Sequence, residues 1–66
     1  MKYSLTDIDG NAFCIMGYVV KAMLRENFSE SEIDAYLADC KSSNYDHLIQ
    51  VSDEMCDRLN NGNKNS

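Results

Sequence analysis

The sequence predicts an all-α protein, a compact three-helix domain over residues 1–59 followed by a disordered polar tail over 60–66. Two observations carry this. Apolar residues recur at helical spacing in three separate stretches, and each stretch opens on a residue suited to cap a helix N-terminus.

The first helix is expected over residues 12–26. Before it, D-I-D-G-N at Asp7–Asn11 reads as a helix start. Asp9-Gly10 is a turn dipeptide, with Gly10 free to take a positive φ. Asn11 is the N-cap, and Asp7 and Asp9 sit where the helix dipole favours acids. The same residues begin like a calcium loop, with oxygen ligands at Asp7, Asp9 and Asn11. However, Ala12 then holds the position that needs glycine, and Tyr18 stands where the closing glutamate belongs. The calcium reading therefore fails.

Ala12 to Val20 carries no charge, and Ala22-Met23-Leu24 follows Lys21. Phe13, Met16, Val20, Met23 and Leu24 form one stripe, Ile15, Val19 and Ala22 a second, and Cys14 and Tyr18 a third. A helix apolar on nearly every side belongs in the middle of something. Gly17 inside it is expected to mark close approach of another backbone.

The second helix, expected over 29–41, starts at Ser29-Glu30-Ser31-Glu32. This is a capping box with Ser29 as N-cap, and Phe28 and Ile33 are placed to form a hydrophobic staple. It buries Ile33, Tyr36, Leu37 and Cys40. Ser42-Ser43-Asn44 is the next break, and a third helix is expected over 44–59. Its apolar face is Tyr45, Leu48, Ile49, Met55, Cys56 and Leu59, with Ser52 diluting the middle. Lys2 to Leu5 reads as extended.

Sixty-six residues make at most one domain, and a chain this short buries only about 60% of its unfolded surface. Its stability calls for a supplement. Two one-sided helices cannot cover the whole circumference of the first. The remainder is expected to meet a second copy, making a homo-oligomer, or a partner; otherwise Tyr3, Leu5 and Ile8 fold over it.

Eleven acids against six scattered bases give a net charge of −5, which argues against direct binding of nucleic acid. The longest uncharged run is too short to span a membrane. No secretory signal opens the chain, and three cysteines without a C-x-x-C pair make a poor disulfide framework. The expected location is the reducing cytoplasm.

Chemistry-bearing residues are sparse. Cys14, Cys40, His47 and Cys56 are ligand types for a structural zinc, giving a zinc-stabilised module as one alternative, but they stand 26, 7 and 9 residues apart with no local pair. His47 is the only histidine, beside Asp46, and neighbours on a helix point in different directions. No phosphate loop, paired-carboxylate motif or G-x-S-x-G turn is present. No enzyme and no cofactor are expected. Asp46, Gln50, Asp53 and Asp57 share one outer face of the third helix. Their spacing brackets that of nucleic-acid phosphates, but a solvated acidic face is the more ordinary reading.

D-G-N-A-F-x-I-M-G at Asp9–Gly17 and N-Y-D-H-L at Asn44–Leu48 resemble a family of small uncharacterised proteins encoded by bacteriophages and bacteria. The resemblance implies no activity or catalytic residues. It implies a phage setting, in which small acidic proteins bind and disable a host component. The expected role is thus a non-catalytic accessory protein that inhibits or sequesters a host protein through an apolar patch with an acidic rim, using Met16, Val20, Asp53 and Asp57. The alternative is a sponge for a small anionic ligand such as a signalling nucleotide. Gly10, Asn11, Tyr45, Asp46 and His47 would hold it at two helix N-termini.

Overall fold

Three helices make up most of residues 2–62, which the computed structural model describes: α1 (Ala12–Arg25), α2 (Glu30–Cys40) and α3 (Tyr45–Asn61). Each begins at the residue whose side chain can accept a free amide. The Asn11 and Asn44 side chains accept from the backbones of Phe13 and His47 at 2.8 and 3.0 Å. Ser29 and Glu32 bond reciprocally, and Phe28 and Ile33 are both buried, as a staple requires.

Helix ends follow a different logic. The α1 helix stops in a Schellman turn: Asn27 takes a left-handed conformation at φ 67°, its amide donates to Leu24, and that of Phe28 donates to Met23. Gly62, at φ 61°, closes α3. The helix runs to that glycine, past Leu59, so Asn60 and Asn61, expected in a polar tail, are helical. The expected tail over 63–66 lies outside the described residues. Gly10 is not among the described residues of positive φ, contrary to expectation. An added Cβ there would lie 3.4 Å from the Tyr45 hydroxyl, so its bareness leaves room for that side chain.

The helices run up, down and up through two four-residue connections, leaving α1 and α3 side by side in the same direction. Into the groove between them the N-terminal segment descends antiparallel, as a strap. Lys2 and Tyr3 meet Asn60 at the far end of α3, the Ser4 amide donates to the Tyr18 hydroxyl, and Gly10 meets Tyr45 at the start of α3. The Tyr3 ring is only 2% exposed and packs edge-on against Tyr18. Its hydroxyl donates to Glu26 at 2.7 Å, and Lys2 bridges to the same carboxylate. Tyr3, Leu5 and Ile8 thus cover one flank of α1.

The core lies where all three helices meet. The α1 helix contributes Ile15, Met16, Val19, Ala22 and Met23, with Val19 and Met23 fully buried. In α3, Ser52 is fully buried and its hydroxyl lies 2.6 Å from that of Tyr36. The residue that dilutes the apolar face of α3 therefore supplies the partner that a buried tyrosine needs.

Candidate functional site

The two helix starts singled out in the sequence do meet. The Tyr45 hydroxyl donates to the Gly10 carbonyl, joining the start of α3 to the residue just before the α1 cap. Their chemistry is nevertheless turned inward. Asn11 spends its side-chain oxygen on the Phe13 amide, and the Asp9 carboxylate accepts from Asn11 at 3.0 Å. Asp46 is exposed, and His47 points away toward α2, where its ring lies 2.9 Å from the Asp39 carboxylate. Tyr45 and His47 are two residues apart, about 200° around a helix, so one cannot join the other at a shared ligand. Gly10, Asn11 and Tyr45 come together, while Asp46 and His47 do not join them. Asp7, Asp9 and Asp46 give this end of the bundle a charge that repels anions.

The metal ligands expected as an alternative are dispersed. Cys14 is exposed on the outside of α1, Cys40 and Cys56 are in the core, and His47 is with Asp39. Among the described residues no three His, Cys, Asp or Glu side chains gather as a metal would require. Burial pushes the Cys56 thiol up to about 11, helped by the charges of Asp53 and Asp57, so it stays protonated and unreactive at neutral pH. Because the folded value exceeds the ordinary 9.0, the stabilisation from a neutral thiol is complete below pH 9 and is lost as pH rises through about 11. We expect native protein at pH 8 to alkylate at Cys14 alone, with Cys56 reacting only on unfolding. Replacing Cys56 by alanine should flatten the alkaline limb of the stability profile. Equal labelling of all three cysteines would contradict this burial pattern.

Met16 and Val20, expected on a partner surface, are not fully exposed. Met16 lies in the core at 8% exposure, and Val20 is half-buried against it. About 100° per residue separates neighbours on a helix, and the exposed arc of α1 belongs instead to Phe13, Gly17 and Leu24. Phe13 is 79% exposed and Leu24 59%. A Cβ added to Gly17 would meet nothing within 4 Å, so the close backbone approach expected there does not occur within the protein.

A second surface lies between α2 and α3. Ala35, Val51 and Met55 floor a groove of about 280 Å³, and Glu32, Asp39, Glu54 and Arg58 rim it. The Arg58 guanidinium also stacks over the Phe28 ring, 5.5 Å from its centre. Beyond Glu54, on the outward face of α3, Asp53 and Asp57 are both exposed. The sequence reading found the acids but not the groove, whose floor pairs residues from two helices.

Compared with family models, curated proteins and solved structures, the chain matches none. Among the described residues no helix is long and apolar enough to cross a membrane.

Proposed function

We propose that this chain is a non-catalytic binding protein that holds a basic surface of a host protein against the acid-bearing outer faces of α2 and α3. It would act in the manner of small phage accessory proteins that sequester a host component. The supporting observation is a segregation of charge. Glu30, Glu32, Asp34 and Asp39 lie on α2 and Asp46, Asp53, Glu54 and Asp57 on α3, against Arg58 alone, whereas α1 carries Lys21, Arg25 and no acid. A field of one sign steers a basic partner to one side of the molecule. The groove beneath Glu32 and Glu54 offers that partner apolar floor to bury once it arrives.

The test is affinity capture from bacterial lysate with immobilised wild-type protein and a D53N/E54Q/D57N variant side by side. A basic protein retained by the wild type should elute with rising salt and bind the variant at least about tenfold more weakly, since three charges are removed from one face. Retention that ignores both salt and the substitutions would remove the acidic faces from the reading.

A further inference from the structure

The exposed arc of α1 is a separate surface, and its pattern is symmetric about its own midpoint. Phe13 and Leu24 lie equally far from the centre of the helix, and so do Gly17 and Val20. Laid antiparallel against a copy of itself, the helix sets Phe13 opposite the partner's Leu24, and Gly17 opposite the partner's Val20. The bulky residue then meets a branched one, and the half-buried valine faces the one position with no side chain. Gly17, with open space around it, allows the two backbones to approach.

The charges carry the argument further. Alongside Phe13 and Gly17 runs an open groove of about 460 Å³, with Asp7 and Asp9 toward the N-terminal end of α1 and Lys21 toward the other. Arg25 is exposed one turn beyond Lys21. A two-fold axis perpendicular to a pair of antiparallel helices keeps like flanks together and reverses their ends. Lys21 and Arg25 of each copy are thereby carried toward Asp7 and Asp9 of the other, twice per pair. A parallel two-fold pair would instead place the two charged flanks on opposite sides of the contact, where they do not meet. The two helix dipoles also oppose each other in the antiparallel pair.

We infer that the occupant of this face is a second copy of the chain, joined through an isologous antiparallel α1–α1 contact. The inference is independent of the acidic faces of α2 and α3, which the pairing leaves open. With α1 about 21 Å long, the contact lies at the small end of specific interfaces, as a weak, concentration-dependent association does.

Sedimentation equilibrium over a concentration series at low salt tests this. The 7.5 kDa chain should approach twice that mass as concentration rises. Phe13→Asp, and separately Leu24→Asp, should weaken association at least tenfold. Both sites are exposed, so unchanged far-ultraviolet circular dichroism will confirm that each variant folds. Lys21→Glu and Asp7→Lys should each weaken self-association several-fold, while an equimolar mixture of the two should associate better than either alone. A wild-type chain that stays monomeric to millimolar concentration overturns the inference. A dimer indifferent to both Phe13→Asp and Leu24→Asp does so too, and a mixture no better than its components overturns the antiparallel arrangement.

Discussion

Met23→Ala is expected to remove most of the stability of the fold, while Leu24→Ala, one residue along, leaves it nearly unchanged. Met23 is fully buried, whereas Leu24 is 59% exposed. Truncating a buried methionine to alanine costs about 2–5 kcal/mol, through lost transfer energy and the cavity left behind. At typical values per residue a 66-residue domain holds about 3–10 kcal/mol in all. The transition midpoint should fall by about 10 °C or more, since each kcal/mol shifts a domain of this size by about 4–8 °C. Leu24→Ala should stay within about 1 kcal/mol, as surface substitutions do. Thermal and urea unfolding followed by circular dichroism reads both. Similar losses at the two positions would mean that α1 faces the core differently.

Tyr3→Ala is the second large effect, because the strap that it anchors belongs to the core. Its ring is buried against Tyr18, and its hydroxyl donates to the Glu26 carboxylate. That hydrogen bond, together with burial, pushes the Tyr3 hydroxyl above its usual range. Losing a buried aromatic ring costs about 3–5 kcal/mol, and Tyr3→Phe, which keeps the ring, should cost only about 1–3 kcal/mol. Urea unfolding of the two variants separates the contributions. If Tyr3→Ala changes stability by less than about 0.5 kcal/mol, the segment before α1 does not contribute to folding.

The parts of the fold that could be read from sequence were those set by neighbours in the chain. Asn11 and Ser29 cap the helices they were expected to cap, and Asn44 rather than Ser43 caps the third, because a cap bonds an amide two or three residues away. Helix ends were less legible: Asn27 adopts a left-handed turn without being glycine, and Gly62 sits in an asparagine-rich run that resembled a tail.

What remained hidden depends on partners distant in sequence. Ser52 looked like a flaw in an apolar face because nothing local announces Tyr36 across the core. Asn60 looked like tail because its partner is Tyr3, 57 residues away. On α1 the sequence was apolar all round. It therefore could not say which arc neighbouring elements would cover, and Met16 and Val20 were placed outward while Phe13 and Leu24 are the residues left exposed. The approach of Tyr45 to Gly10 and the departure of His47 toward Asp39 likewise follow from how α3 is turned, which its own periodicity does not fix.

The clasp at Asn60 has a consequence for the order of folding. Its side-chain oxygen accepts from the amides of Lys2 and Tyr3, and its amide group donates back to the Tyr3 carbonyl at 2.7 Å. The helix pairs close over four-residue connections, whereas this contact must bring together residues 57 and 58 apart, at a larger loop-closure cost. A ribosome delivers Tyr3 before α1 and Asn60 only 57 residues later, at the end of α3. The Tyr18 flank of α1 therefore waits for its clasped cover until the end of α3 has been made. Once the chain is folded, the same clasp is where hydrogen exchange should first find a local opening that leaves the three helices together.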